Sequence, residues 1–190
     1  PLHYAITREP SEVGEDLPAW LRPRLEAGQW LLLRAKSHSP SEYGRLAAEV
    51  AALCAGEGVH LMLHDRPELL ATLPAQGVHL TSRMLADLPE DWRRRDAGLD
   101  ARHFLACSAH GAEDLAKAWR LGADFATLSP VKATRSHPGV AGMGWQRWGE
   151  LARNAGIPVY ALGGMRLEDM EPAHAAGGQG IAGISGLFQD

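Results

Sequence analysis

The 190-residue sequence predicts an α/β fold, a small (β/α)8 TIM barrel with a truncated last helix. Short apolar runs alternate with helix-length amphipathic segments, which favours a parallel sheet, and eight such runs favour closure into a barrel. Only 185–190 follow the last run, too few for a full eighth helix. An open doubly wound sheet is the competing architecture. It favours fewer strands and a glycine-rich first turn, whereas no G-x-G-x-x-G follows Tyr4–Thr7.

The first half of the chain contains four predicted strands and three predicted helices. The strands are expected at Tyr4–Thr7, Trp30–Arg34, His60–Leu63 and Gly77–Leu80. The clearest helix is Ser39–Ala55, because Ser39 can cap its first turn and Pro40 suits the position that follows. The other helices are expected at Pro18–Ala27 and Pro67–Leu73.

The second half repeats the pattern four more times. The strands are expected at His103–Cys107, Asp124–Leu128, Pro158–Leu162 and Gln179–Ile184. Helices are expected at Gly111–Leu121, Trp145–Asn154 and Leu167–Ala175. Among the remaining residues, His79 is expected to be a core histidine with a satisfied nitrogen, and Trp145, Trp148 and Cys107 are expected to pack in the interior.

Composition indicates one domain over residues 1–190 with an ordinary soluble surface. A net charge of -4 gives no basic face for nucleic acid, and no apolar run approaches the length of a membrane span. The two cysteines have no metal or redox spacing, so a reducing cytoplasm is expected. No signal peptide is recognisable. The first residue, Pro1, fits either methionine removal or a cut from a longer fusion protein.

Polar residues follow the predicted strands at their carboxyl ends, where barrels place their active sites. Individually, these residues also fit a solvated strand end, a helix cap at Asp65, or a tight turn at Gly163. Together they predict an active site, and the glycines after strands seven and eight predict a phosphate site built from backbone N–H groups. The candidate residues are Arg34, Lys36, Asp65, Ser108, Thr134, Ser136, His137, Gly163, Gly164, Ser185 and Gly186.

Eight ordered segments resemble the thiamine phosphate synthase and thiazole tautomerase superfamily over nearly the whole chain. The first five are YAIT (4–7), LLLRAK (31–36), LMLHDRPEL (61–69), GVHLTS (77–82) and CSAH (107–110). The last three are GADFATLSPVKATRSHPG (122–139), PVYALGGM (158–165) and GIAGISGLF (180–188). The resemblance implies joining of hydroxymethylpyrimidine diphosphate to thiazole phosphate, with release of pyrophosphate.

The resemblance also implies a role for each candidate residue. Arg34, Lys36 and Ser108 match diphosphate contacts, and Thr134 and Ser136 match a T-x-T pair in the loop after strand six. Asp65 matches one of two Mg2+-binding aspartates, so Mg2+ is the expected cofactor. Gly164, Ser185 and Gly186 match the cradle for the thiazole phosphate.

The sequence departs from the family pattern at four positions. Leu32 replaces a pyrimidine-contacting glutamine, His64 an asparagine, Met84 the second Mg2+-binding aspartate, and His137 a diphosphate-contacting lysine. Loss of a carboxylate weakens a Mg2+ site, and loss of a lysine removes charge that a diphosphate leaving group would use.

Two alternatives to the synthase therefore stay open. One is proton transfer on a thiazole phosphate by His137 or His64, although Pro130 occupies the position of the tautomerase histidine. The other is a non-catalytic phosphate-binding module attached to a Nudix-type hydrolase, because barrels fused to such hydrolases resemble this chain best. A homo-oligomer is compatible with either alternative.

Overall fold

The computed structural model describes residues 3–14, 16–134, 139 and 141–188, and shows a closed barrel of eight parallel strands. Each strand pairs with its neighbours in chain order, and the last strand pairs with the first. The predicted fold class is therefore confirmed. The strands are β1 His3–Ile6, β2 Trp30–Leu33, β3 His60–His64, β4 Gly77–Leu80, β5 Phe104–Ala109, β6 Phe125–Leu128, β7 Val159–Ala161 and β8 Gly180–Gly183.

Helices of very different length connect the strands. The α-helices are α1 Leu17–Leu21, α2 Pro40–Glu57, α3 Ser82–Asp87, α4 Ala112–Arg120, α5 Gly144–Arg153 and α6 Met170–Ala175. Short 3-10 helices lie at Pro10–Glu12, Arg22–Arg24, Pro67–Ala71, Arg94–Ala97 and Leu167–Asp169. No helix follows β8 within the residues described up to Phe188, as the predicted truncation requires.

The best-defined connection is α2, which has a complete capping box. The Ser39 hydroxyl accepts the N–H of Glu42, and the Glu42 carboxylate accepts the N–H of Ser39 at 2.8 Å. Both bonds satisfy N–H groups that the first turn leaves without helical partners. Gly58, with φ 68°, ends the helix in the left-handed conformation that glycine adopts without steric cost.

Three connections differ from the sequence expectation. The helix expected at Pro18–Ala27 stops at Leu21 and continues as a 3-10 turn, since Pro23 cannot donate to the helical ladder. The segment Pro67–Leu73 also forms a 3-10 helix, which ends at Ala71. α3 was not predicted, and it begins where the Thr81 hydroxyl accepts the N–H of Met84.

Apolar side chains fill both the barrel interior and the layer between strands and helices. Inside the barrel, Tyr4 and Phe125 lie edge to face, with their ring centroids 5.3 Å apart. In the outer layer, Trp148 is fully buried and its indole N–H donates to the carbonyl of Leu128 at 3.0 Å. Burial also raises the pKa of the Cys107 thiol to about 12, consistent with the predicted packing role. No helix among the described residues is long and apolar enough to span a membrane.

Candidate functional site

A cavity of about 910 Å³ opens at the carboxyl ends of the strands. We call it the mouth cavity, and eight of the eleven predicted site residues line it. Ser136 and His137 lie outside the described residues, so their predicted roles stay predictions. The eight are Arg34, Lys36, Ser108, Thr134, Gly163, Gly164, Ser185 and Gly186.

Asp65 does not line the mouth cavity and instead holds the turn into α3. It is the one described non-glycine residue with positive φ, 53°, and its Oδ1 accepts the N–H of Thr81 at 2.7 Å. Its own N–H donates to the carbonyl of His79 at 3.1 Å. Asp65 was alternatively expected to cap the following helix, but Arg66 precedes that 3-10 helix without a side-chain cap. The carboxylate therefore contributes to backbone structure at the end of β4.

The acidic residues present do not form a Mg2+ site by themselves. Within the described parts of the chain, no three His, Cys, Asp or Glu side chains come together as a possible metal site. Met84, at the position of the second carboxylate, lines a separate apolar cavity outside the barrel with Leu80 and Leu105. A hard cation needs oxygen ligands, and Asp65 has one carboxylate oxygen already bonded to a backbone N–H.

Arg34 and Lys36 form the cationic side of the mouth cavity, and Glu9 organises them. One Glu9 oxygen accepts the Arg34 Nη1 at 3.0 Å and the Lys36 N–H at 3.1 Å, while the other accepts the Ser37 hydroxyl at 3.1 Å. Burial opposes ionisation of Glu9, but the hydrogen bonds from Lys36 and Ser37 hold its pKa below the ordinary value. Burial and the nearby Arg34 charge lower the pKa of Lys36.

His64 and Leu32 lie beside these cations. Leu32 is buried and contributes an apolar surface to the mouth cavity where the family has an amide. Burial lowers the pKa of His64 to about 4, although the neighbouring Asp65 opposes the shift. The His64 imidazole is therefore neutral near pH 7, and its Nδ1 lies 3.8 Å from Asp65 Oδ2, too far for a hydrogen bond.

A buried hydrogen-bond chain runs from the barrel interior to Ser108. The Tyr4 hydroxyl lies 3.2 Å from His79 Nδ1, and His79 Nε2 lies 2.9 Å from the Ser108 hydroxyl. Burial lowers the pKa of His79 to about 3, so its imidazole is neutral. The expectation that His79 is a core histidine with a satisfied nitrogen is confirmed, and its second nitrogen positions Ser108.

The predicted phosphate cradle lies after β7 and β8. Gly163 has φ 107° and Gly164 φ 68°, and a side chain on Gly163 would place its Cβ 2.9 Å from Pro130 Cα. A Cβ on Gly186 would lie 2.2 Å from the carbonyl oxygen of Met165. Among the described residues, none of the N–H groups of Gly163, Gly164, Ser185 and Gly186 donates to a backbone carbonyl. These four N–H groups are available to an anion.

Two buried hydroxyls near the mouth cavity have no hydrogen-bond partner in the described part of the chain. Thr134 was predicted as a site residue, whereas Thr127 was missed. Thr127 is 1% exposed and neighbours Ser108 in the register of β5 and β6. Alternation along β6 from Phe125 could have identified it, because every second residue of a strand faces the barrel interior.

Further cavity residues were missed as candidates, although three of them, Thr81, His110 and Ser129, lie within the segments that carry the family resemblance. His110 lies beside Ser129, whose carbonyl oxygen is 3.1 Å and whose hydroxyl is 3.3 Å from the imidazole Nδ1. Thr81 and Arg166 also line the mouth cavity. Ser108-Ala-His110 and Ser129-Pro130 both follow strand ends, so position after a strand was the available signal.

The closed barrel of eight parallel strands, with a polar cavity at their carboxyl ends, places this chain in the class of (β/α)8 barrel proteins. Residues 3–187 match the thiamine monophosphate synthase family, and the chain belongs to this family. The predicted membership of the thiamine phosphate synthase family is thereby confirmed.

Curated relatives and a solved structure agree with this assignment. A provisionally assigned thiamine-phosphate synthase 2 of Aquifex aeolicus is 34% identical over 186 residues, covering 97% of this chain and 96% of that protein. The thiamine-phosphate synthase of Thermus thermophilus is 35% identical over 159 residues, covering 82% and 73%. The structure of a thiamine phosphate pyrophosphorylase from Pyrococcus furiosus superposes with a TM-score of 0.75 at 22% identity, covering 96% of this chain and 85% of that one. At this identity, the structural likeness concerns the fold.

Proposed function

We propose that the chain joins hydroxymethylpyrimidine diphosphate to thiazole phosphate, forming thiamine phosphate and pyrophosphate. The observation that carries the proposal is the presence of two anion-binding features in one cavity. The cations Arg34 and Lys36 follow β2, and the free N–H groups of the glycine cradle follow β7 and β8. One substrate carries a diphosphate and the other a monophosphate, which matches this pairing.

In the proposed reaction, the bond between the pyrimidine methylene carbon and the diphosphate oxygen breaks. The electron pair leaves with the diphosphate, and the thiazole nitrogen then donates its lone pair to the resulting carbocation. Because no electrons are gained or lost overall, the protein must supply only charge stabilisation and alignment. Arg34 and Lys36 stabilise the negative charge that grows on the leaving diphosphate, and the Ser108 hydroxyl contacts it.

The glycine cradle aligns the second substrate. Gly164, Ser185 and Gly186 bind the phosphate of the thiazole through their N–H groups, while the apolar wall formed by Leu162 and Ile184 contacts the ring. Fixing the thiazole beside the reacting carbon removes much of the entropic cost of bringing two molecules together. Thr134, Ser136 and His137 complete the diphosphate side in this proposal.

In this proposal, Mg2+ binds only together with the diphosphate substrate. Mg2+ is commonly bound by one or two carboxylates plus substrate phosphates and water. Asp65 would supply one carboxylate to Mg2+, and diphosphate oxygens would supply the ligands that Met84 cannot. The proposed Mg2+ site therefore depends on bound diphosphate.

A coupled assay of the purified chain tests the proposal. Thiamine phosphate formation should require both substrates and Mg2+, and Arg34→Met and Lys36→Met should lower it. Lys117→Met is the matched control, since Lys117 bonds the carbonyls of Ala86 and Leu88 far from the mouth cavity. Binding of thiazole phosphate without turnover would indicate the non-catalytic module. Isomerisation of a thiazole phosphate that depends on His64 or His137 would indicate the tautomerase.

The proposal extends to the domain organisation and the cellular location of the barrel. Residues 1–190 form a single domain in the cytoplasm, related to barrels that are fused to a Nudix-type hydrolase. The mass of the natural polypeptide tests the fusion, and light scattering of the purified chain tests whether it forms a homo-oligomer.

A further inference from the structure

An ion pair between a buried carboxylate and a half-exposed lysine lies beside the glycine cradle and has no part in the proposed reaction. Lys132 Nζ donates to both carboxylate oxygens of Asp169, at 2.6 and 2.8 Å. The Asp169 side chain is only 7% exposed, whereas that of Lys132 is 44% exposed. A carboxylate removed from water needs a partner of opposite charge, so this contact is far more restrictive than a surface ion pair.

The ion pair joins the loop after β6 to the loop after β7. Two backbone hydrogen bonds also connect these segments. The N–H of Val131 donates to the carbonyl of Leu162 at 2.9 Å, and the N–H of Lys132 donates to the carbonyl of Gly163 at 3.2 Å. Within the second loop, Asp169 Oδ2 accepts the N–H of Arg166 at 3.0 Å. The ion pair and these bonds form a closed ring around Gly163-Gly164.

The lysine also touches the cradle with its aliphatic part. A Cβ placed on Gly164 would lie 3.4 Å from Lys132 Cβ and 3.9 Å from Lys132 Cδ. The cradle backbone has φ angles of 107° and 68°, which glycine adopts without strain, and because glycine is so permissive the surrounding contacts decide which conformation it holds. The direction of the Gly164 N–H therefore depends on the contacts of Lys132.

We propose that Lys132 and Asp169 are positioning residues that orient the N–H groups of Gly163 and Gly164 for the phosphate of the second substrate. The inference rests on the proposed function for the identity of that substrate. It makes the phosphate site dependent on a side-chain ion pair as well as on glycine. Neither residue lines the mouth cavity, and the cations Arg34 and Lys36 on its diphosphate side follow a different strand, β2.

The test measures three quantities in Lys132→Met, Lys132→Arg and Lys117→Met. Hydrogen exchange of a peptide covering residues 163–169 reports the orientation and protection of the cradle. Calorimetry reports the Kd of thiazole phosphate and, separately, of pyrophosphate. Steady-state kinetics give kcat and the KM of each substrate as separate values. Because Lys132→Met leaves a buried carboxylate unpaired, the double variant Lys132→Met/Asp169→Leu removes that charge and keeps the test valid if the single variant unfolds.

Lys132→Met should speed exchange in the 163–169 peptide and weaken thiazole phosphate binding about tenfold or more, because small misplacements of positioning groups have effects of this size or larger. Pyrophosphate binding should change less than about twofold, the scale of a surface change. Lys132→Arg should restore most of the loss, and Lys117→Met should show neither effect.

Unchanged exchange in Lys132→Met, or an equal loss for both ligands, would overturn the inference. Tighter thiazole phosphate binding in Asp169→Asn would overturn it too, because a freed Lys132 would then be a direct phosphate ligand. If the parent chain fails to bind thiazole phosphate while exchange still responds to Lys132→Met, the proposed function fails and the orienting role of the ion pair stands.

Discussion

Replacement of Gly163 by alanine should destabilise the protein much more than replacement of its neighbour Gly164. At Gly163, φ is 107°, and the new Cβ would lie 2.9 Å from Pro130 Cα and 3.0 Å from the Val131 nitrogen. Backbone strain of this kind costs about 1–3 kcal/mol. Insertion of a methyl group against backbone atoms costs about another 1–3 kcal/mol. We therefore expect the free energy of unfolding to fall by about 2–6 kcal/mol in Gly163→Ala.

Gly164→Ala is the matched control, because it introduces the same methyl group without the close contact. Its φ of 68° lies in the left-handed region, and the nearest atom to the new Cβ is Lys132 Cβ at 3.4 Å. The expected cost is about 1–2 kcal/mol. Guanidinium unfolding followed by fluorescence and circular dichroism measures both variants. Equal losses of stability would refute the close approach of Gly163 to Pro130 and hence the described packing of the cradle.

Three further measurements test the site. Lys36→Met should weaken pyrophosphate binding about tenfold, since hydrogen bonds to charged groups contribute more than neutral ones but Lys36 is exposed; an unchanged Kd in calorimetry would remove Lys36 from the site. Mg2+ alone should give no saturable binding in the micromolar range, and a tight isotherm without diphosphate would mean that another carboxylate accompanies Asp65. His79 has a folded pKa of about 3, so below pH ~6.5 the unfolded state binds a proton that the folded state does not, and stability falls as the pH is lowered toward 3. His79→Gln should reduce this slope by about 1.4 kcal/mol per pH unit, and the same slope in both proteins would argue against a neutral buried His79.

The barrel was predictable from sequence because its signal is local and repeated. Each strand is a short apolar run. In a parallel barrel the residues that follow these runs all lie at the same end, where the mouth cavity opens. Arg34, Ser108 and Gly164 could thus be placed in one cavity without knowledge of any contact between them. The start of α2 was equally accessible, because Ser39 can cap the first turn and Pro40 suits the next position, whereas the helix ends at Glu57, two residues beyond the predicted Ala55.

Features that depend on contacts between distant segments were not predictable. Asp65 accepts a hydrogen bond from Thr81, sixteen residues away in the chain. Lys132 and Asp169 are separated by 37 residues, and each alone resembles an ordinary surface charge. Even α3 was missed, since its six residues are too few to show helical periodicity. Such elements are determined by tertiary partners that a single sequence does not identify.

The chain Tyr4–His79–Ser108 fixes the direction in which its protons point. The Tyr4 hydroxyl has no second acceptor among the described residues, so its hydrogen is satisfied only by donation to His79 Nδ1. A neutral imidazole then carries its single proton on Nε2 and donates it to the Ser108 oxygen. The serine hydrogen is left pointing away from the histidine, toward the mouth cavity. The two buried residues Tyr4 and His79 thereby make Ser108 a donor at the cavity surface, which favours a ligand oxygen carrying negative charge over a ligand N–H.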